Sequence, residues 1–522
     1  MTTKRVLILG AGFGGAFVAR DLARLRRPDV EIEIVDQDNH FVFQPLLPEV
    51  AGGSVNAADA VTPLRLLLPG AMTSQGVVAG IDFARREVEI VQGARGERLR
   101  RARWDHLVLA LGLETDLSRF PGLAGHAMTM RDLSDAFRLR NHVIFCLEQA
   151  EVAETMEERR RLLTFVIVGA GLSGIETAGE VAGMIGRGLR FYPRLRRDEP
   201  RIVVVEHLPR ILPELTPRLA DYAARNLQRR GVELVTGVGI RSAAAGSVEL
   251  ADGRVIQAQT VVATIGAAPS GLLNGLDLEK RKGRIVTDRF LAVPGHPGVW
   301  ALGDAAAVPL DDGGIAPPTA QAAVRQARVL ARNLVAALDG AAPVPIAFQS
   351  KGQLASLGAR RGVASLFGHE FAGLFAWIMW RSFYLGMVPG WTTKVRVAVD
   401  WTMDALFPRN IVQIPQTTRR AVRRRRFRRG DLVFGRGEVT GPCYIVIDGR
   451  FERDDGRAIT ILEAGDLFGD GVLEGERLRR STVRALDDSE CLAIDPQDIA
   501  ELAPVASTAA LTRRNSGRRR SR

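Results

Sequence analysis

Two stretches carry glycines at a spacing that can do chemistry. "VLILGAGFGGAFVAR" sets Gly10, Gly12 and Gly15, with Phe13 and Gly14 between them, after an apolar run and ahead of a helical pattern. "VIVGAGLSGIETAGE" repeats the arrangement with Gly169, Gly171 and Gly174. In such a loop the first glycine permits a tight turn and the second admits a pyrophosphate against the backbone. The third lets the helix pack on the sheet with its N–H groups facing the phosphates. Each loop is followed by a strand ending in an acid, "VEIEIVD" at Asp36 and "RIVVVE" at Glu206. Asp36 is expected to bind an adenosine ribose. Glu206 suits a free 2′-hydroxyl and repels a 2′-phosphate, which favours NADH over NADPH, although His207 and Arg210 stand nearby. A further acid, Glu176, lies two residues past the last glycine of the second loop. Two cradles in one chain imply electron transfer between two dinucleotides.

These residues need strand–turn–helix units to hold them, so the expected fold class is α/β with two Rossmann-like dinucleotide-binding domains. A chain of 522 residues has room for two or three domains, and 46% hydrophobic with 25% charged residues reads as globular. The three cysteines, Cys146, Cys443 and Cys491, are far apart and the seven histidines scattered, so neither a disulfide framework nor a metal site is expected. The net charge of +12 is concentrated in "RRAVRRRRFRRG" and in the tail. Nucleic acid is discounted, because no aromatic residues interleave with a basic stripe. A solvated linker and a contact with an anionic membrane both remain open for the arginine run. "MTTKR" leads directly into a strand, so no signal peptide and a cytoplasmic location are expected.

The last hundred or so residues read differently. "LVF", "CYIVIDG", "AITIL", "STVRA" and "CLAI" are short β-runs between Gly/Asp turns, the pattern of a small all-β barrel.

Several segments resemble the two-dinucleotide-domain flavoproteins. "ALGDAAAVP" carries Gly303 and Asp304, placed like the family's flavin-contacting pair. "LVLALG", with Ala110 and Gly112, and "VVATIG", with Gly266, resemble the crossover segments. The resemblance implies FAD on the first loop and NADH on the inserted second domain. No cysteine stands in "DQDNHFVFQPLLPEVAGG", which excludes disulfide reductase chemistry. Cys146 alone is also a poor substitute for the cysteines of sulfide:quinone reductases.

"NHFVFQPLLPEVAGG", with Gln44 and Pro45 as expected cofactor contacts, resembles the type II NADH dehydrogenases, non-proton-pumping NADH:quinone oxidoreductases. "WDHLVLALG", "GAGLSGIETAGE", "PPTAQAAVRQA" and "SKGQLASLGARRGVA" extend the likeness from about Arg5 to about Ile414. The resemblance implies hydride transfer from NADH to flavin, then delivery of two electrons and protons to a membrane quinone. It implies that Glu176 binds nicotinamide or relays protons, with Lys351 as its neighbour. The quinone signature AQxAxQ maps onto Ala320 and Gln321, but its final glutamine is one place late, leaving Arg325 or Gln326 for that role. Glu180, one turn after Glu176, is expected to be structural. A reductase of another acceptor, of ferredoxin or rubredoxin type, and a redox or ligand sensor are the alternatives.

"FAGLFAWIMWRSFYLGMVPGW" and the residues after it hold Trp377, Trp380, Trp391 and Trp401. Arg381 and Pro389 interrupt the run, so a monotopic helix pair on the bilayer is expected rather than a spanning helix. A buried core or dimer-contact helix is the alternative, and a homodimer on the cytoplasmic face of the plasma membrane is expected. The C-terminal module resembles the cyclic-nucleotide-binding domain through "FGDGVLEGERLRRSTV", which sets Gly469 and Asp470 at the ribose-binding turn and Arg479 and Ser481 at the phosphate position. Both a cyclic-nucleotide-binding module and a barrel that keeps only the fold remain open. The expected boundaries are 1–115 and 269–340 for the FAD domain, 116–268 for the NADH domain and 341–414 for the membrane-associating region. A basic linker over 415–429, the barrel over 430–503 and a disordered tail over 504–522 complete the chain.

Overall fold

A computed structural model describes residues 3–494, except 94–97, 245, 312, 349, 351, 415–421, 439–440, 472–475 and 477. The chain divides into two units, Met1–Gln413 and Ile414–Arg522.

In the first unit, apolar runs too short for helices form two five-stranded parallel sheets. The strand Lys4–Leu9 is central in one, with Val30–Asp36 and then Met72–Gln75 on one side and His106–Leu109 and Val299–Ala301 on the other. Its residues Val6 to Leu9 are buried on both faces, which explains why the run is continuously apolar rather than alternating. The second sheet has the same plan around Thr164–Val168, with Arg201–Glu206 and Val232–Thr236 on one side and Thr260–Ala263 and Met128–Thr129 on the other. The strand Val299–Ala301 completes the first sheet although all of the second sheet precedes it in the chain.

Helices Gly15–Ala23 and Leu172–Gly188 follow the two glycine loops, and neither has a side-chain cap at its start. No side chain therefore competes with a ligand for their leading N–H groups, although Ala16 N is already used on the Gly12 carbonyl at 3.1 Å. The helix Ala320–Asp339 is instead closed at both ends: Thr319 accepts from Ala322 N, and Gly340 ends it at φ 68°. A three-stranded antiparallel sheet, Gly352–Gly358, Arg361–Leu366 and His369–Gly373, leads into helices Leu374–Met387 and Trp391–Leu406. Among the described residues no helix is long and apolar enough to cross a membrane.

The described residues of the second unit build two four-stranded antiparallel sheets around Phe434, Phe451, Phe468 and Val483. Its first strand is Val422–Phe427, paired antiparallel with Ser489–Ile494. The stretch expected as a linker over 415–429 therefore includes a strand of the barrel. Backbone pairing overrides the poor strand propensity of the arginine run, and Phe427 packs onto the core from its end. The tail over 504–522 lies outside the described residues.

Candidate active site

The first cradle forms from close backbone approach. Gly10 has φ +96°, and a Cβ on Gly15 would stand 1.9 Å from the Gly10 carbonyl, so neither position tolerates a side chain. A Cβ on Gly12 would meet nothing within 4 Å, which leaves free space beside the loop backbone. Asp36 Oδ2 accepts from Ala11 N at 2.6 Å and Oδ1 from Asp38 N at 2.9 Å, tying the second strand to the loop. A cavity of about 320 Å³ opens here, lined by Gly12, Asp36, Gln44, Gly112, Asp304 and Ala320 among others. Phe13, Gly14, Ala110 and Gly303 also reach it.

The second cradle repeats these contacts. Gly169 has φ +101°, and a Cβ on Gly174 would lie 2.0 Å from the Gly169 carbonyl. Glu206 Oε2 accepts from Ala170 N at 2.7 Å, the counterpart of the Asp36 contact, while Oε1 accepts from Leu208 N at 2.9 Å. His207 Nδ1 also stands 2.7 Å from Oε1. Gly266, at φ +86°, packs against the Asp116 carbonyl at the crossover.

The Gly303–Asp304 turn is gripped from two sides. Arg284 donates to the carbonyls of Asp304 at 3.0 Å and Gly303 at 3.3 Å. Gln326, fully buried, accepts from Gly303 N at 2.6 Å through Oε1. Gln326 thus holds the turn that lines the cavity. A helix advances about 100° per residue, so its neighbour Arg325 points elsewhere and lies 5.1 Å from the Phe348 ring. Gln321 is one turn before Arg325 on the same face. Burial holds the Asp304 carboxyl above the usual carboxylate range.

Glu176 sits on the helix opened by the second cradle and is buried. Its Oε1 accepts from Ser356 N and from Trp380 Nε1, both at 2.9 Å. The strand carrying Ser356 reaches it because the helix has Gly179 at the crossing, where a Cβ would be 2.3 Å from the Leu357 carbonyl. Arg230 secures that crossing by donating to the Gly179 carbonyl at 2.7 Å. Desolvation pushes the Glu176 carboxyl up to about 8, against the opposing pull of its two hydrogen bonds. Tyr384 packs edge-on to Trp380 at 4.8 Å, and burial together with the nearby Glu176 raises its hydroxyl pKa. Lys351, expected as the neighbour of Glu176, lies outside the described residues.

Glu49, Arg409 and Asp404 escaped the sequence reading, and the partners of Glu180 and Arg381 were not foreseen. Glu49, from "LLPEVA", is 2% exposed; it accepts from Trp401 Nε1 at 2.6 Å and from Arg381 Nη2 at 3.4 Å. Glu180 pairs with Arg409 at 2.9 Å, and Arg409 pairs in turn with Asp404 at 2.8 Å. Arg381 is stacked between the rings of Trp377 at 4.0 Å and Trp401 at 4.6 Å. The available signals were an acid inside an apolar run and an arginine interrupting another. Trp380 and Trp401, expected at the bilayer, are 1% and 7% exposed and donate to buried acids instead. An indole supplies both the bulk to fill these spaces and an N–H to satisfy a carboxylate there.

Residues 4–327 match the family described as pyridine nucleotide-disulphide oxidoreductase, 350–410 the NDH2 C-terminal domain and 424–504 the cyclic nucleotide-binding domain. A type II NADH:quinone oxidoreductase of Mycobacterium tuberculosis is 31% identical over 421 residues, covering 78% of this chain and 89% of that protein. The chain belongs to the type II NADH:quinone oxidoreductases. A demethylphylloquinone reductase of Synechocystis is 30% identical over 406 residues, 76% of this chain and 95% of that one. The structure of Plasmodium falciparum NDH2 in complex with NADH shares the fold, with TM-score 0.72 at 18% identity over 78% of this chain and all of that chain. As a type II NADH:quinone oxidoreductase, the chain uses FAD and NADH and passes electrons to a quinone. The first cradle fits the flavin dinucleotide: it combines open space at Gly12, uncapped helix N–H groups and a lined cavity.

In the second unit, Arg479 is buried and stacks on Phe434 at 4.1 Å. Its Nη1 donates to the Gly469 carbonyl at 2.8 Å and its Nη2 to the Pro442 carbonyl at 2.7 Å. Asp470, Glu476, Arg480 and Ser481 line the adjoining cavity of about 290 Å³.

Proposed function

We propose that Glu176 is the acid that holds a proton for quinone reduction, with Gln321 and Arg325 toward the quinone. The observation that carries this is a buried carboxyl on the NADH-loop helix whose Oε1 is held by an indole N–H and a backbone N–H. Burial keeps that carboxyl protonated near neutral pH, and it can release the proton when negative charge develops nearby. Bound flavin supplies the two-electron chemistry. The chain's own residues position it through the Asp36, Gln326 and Arg284 contacts and exclude water through the Trp380–Tyr384 packing. Stopped-flow with purified holoenzyme, NADH and a short-chain quinone tests the assignment. Glu176→Gln slowing flavin reduction by NADH as much as reoxidation by quinone would refute it.

The enzyme is proposed to lie on the cytoplasmic face of the plasma membrane, as a homodimer, through the outer face of the last two helices. Trp391, Val395, Val399, Met403 and Leu406 recur every three or four residues and are exposed, Trp391 at 78%. Leu374, Phe375 and Ile378 extend this apolar surface on the preceding helix. An exposed apolar stripe with tryptophan and flanking cations suits the bilayer interface. Co-flotation with anionic vesicles is the test: loss of binding in Trp391→Asp/Leu406→Asp supports it, and unchanged flotation refutes it.

For the second unit, weak or absent cyclic-nucleotide binding is the favoured reading. Both terminal nitrogens of Arg479 are used on backbone carbonyls, and two acids share the cavity with it. Calorimetric titration with cyclic AMP and cyclic GMP decides this; micromolar binding would overturn the reading.

A further inference from the structure

Glu49 and Glu180 sit in the same buried region but are partnered differently. Glu180 has a full ion pair in Arg409, which also donates to the Gly52 carbonyl at 2.7 Å and is backed by Asp404. Glu49 has one good donor, the Trp401 indole, and one long contact to Arg381 at 3.4 Å. The Arg381 guanidinium is committed to two indole faces, and its Nε has no partner among the described residues. A fully buried carboxylate with so little compensation is costly in its charged form.

Every element packed on Glu49 contributes to this balance. Helix Leu374–Met387 brings Arg381, and helix Trp391–Leu406 brings Trp401 and, further off, Asp404. Helix Leu172–Gly188 brings Glu176 and Glu180; the segment after Leu406 brings Arg409. Helix Leu133–Val152 brings Arg140, whose terminal nitrogens are used on the Asn410 and Val412 carbonyls. Ser54 Oγ lies 3.2 Å from the Glu49 backbone carbonyl and 3.3 Å from Glu180 Oε2, and its single O–H donates to one of the two at a time. The indoles that serve Glu49 and Glu176, Trp401 and Trp380, pack with centroids 6.3 Å apart.

We propose that Glu49 is a second proton-holding residue of the reaction, joined with Glu176 in one buried acid cluster and reloaded from solvent on the Arg381 side. This rests on the reading of Glu176 given above. Overall, NADH, quinone and one proton give NAD⁺ and quinol. The hydride accounts for both electrons and one hydrogen, so one proton must come from water through the chain. Glu49 breaks its own O–H bond to pass a proton into the cluster after Glu176 has released one, then regains a proton from water; it moves no electrons. Desolvation pushes Glu49 up to about 7, with Glu180 reinforcing and Arg381 opposing, and the charge of Glu49 helps raise Glu176. The arrangement keeps the two acids from ionising together.

The test follows the carboxylic acid C=O infrared band of the FAD-loaded full chain against pH, alongside the pH profile of reoxidation by a short-chain quinone. Wild type is expected to lose two buried-acid bands between about pH 6 and pH 9. Glu49→Gln should lose one of them and move the reoxidation midpoint down by about one pH unit, because it removes a negative neighbour from Glu176. Trp401→Phe, which keeps both acids, should move the Glu49 band to higher pH. Two unchanged bands in Glu49→Gln, or a Glu49 band titrating near pH 4 to 5, would overturn the proposal. Failure of the Glu176 reading would look different: both bands would titrate as expected while Glu176→Gln left reoxidation unaffected.

Discussion

The Trp380 indole N–H donates to Glu176 Oε1 at 2.9 Å, from a helix whose sequence reads as a membrane surface. The contact stabilises the ionised carboxylate, so its loss should keep the acid protonated to higher pH. Trp380→Phe is expected to move the alkaline limb of quinone reduction upward by about half to one pH unit. It should leave vesicle co-flotation unchanged, since Trp380 is 1% exposed. Steady-state pH profiles with a short-chain quinone, paired with flotation, check both halves.

Replacing the acid itself separates the two half-reactions. Glu176→Gln keeps an acceptor for the Trp380 and Ser356 N–H groups but has no proton to give. Reoxidation by quinone is expected to slow by about a hundredfold, the usual scale of a lost general acid. Reduction by NADH should stay within about twofold on the same stopped-flow trace.

Stability should follow the same acids, with a defined sign. A carboxyl whose folded pKa is raised binds its proton more tightly in the native state. The resulting stabilisation is complete below the ordinary carboxylate range and is lost as pH rises toward about 8, where Glu176 titrates. The melting temperature of wild type should therefore fall between about pH 5 and pH 8.5 by a few degrees more than that of Glu176→Gln. A pH-independent difference between the two proteins would contradict the burial assigned to this carboxyl.

The glycine loops give a site-by-site prediction. Gly12→Ala adds a methyl where nothing stands within 4 Å, so the chain should fold with wild-type stability yet bind FAD more than tenfold more weakly. In Gly15→Ala the methyl meets the Gly10 carbonyl at 1.9 Å, which should cost about 2 kcal/mol of stability as well as the flavin. Gly174→Ala, with the matching 2.0 Å contact, should retain flavin absorbance but lose its bleaching by NADH. Thermal melts, flavin content per chain and NADH titrations distinguish the three.

The cradles were legible because their requirements are local: a strand, three glycines and an acid at the end of the next strand lie within about forty residues. The acid cluster was not, because its partners are remote in the chain. Glu49 meets Arg381 and Trp401 across separations of 332 and 352 residues, and no periodicity links them. The tryptophans were legible as amphipathic residues but not by side; Trp391 faces out, while Trp380 and Trp401 face in. The choice between Arg325 and Gln326 is not legible for a related reason. One residue of helical phase decides the surroundings of each, and the turn that Gln326 holds comes from another segment. The barrel's first strand was hidden by composition, since four consecutive arginines offer no alternating pattern to read.

Among the described residues that strand, Val422–Phe427, pairs only with Ser489–Ile494 and lies at the edge of its sheet. An open edge invites another chain to add to it, and exposed Arg425 and Arg426 bring like charges face to face wherever two such edges would meet. Charged side chains on such an edge are one of the ways natural sheets limit edge-to-edge association.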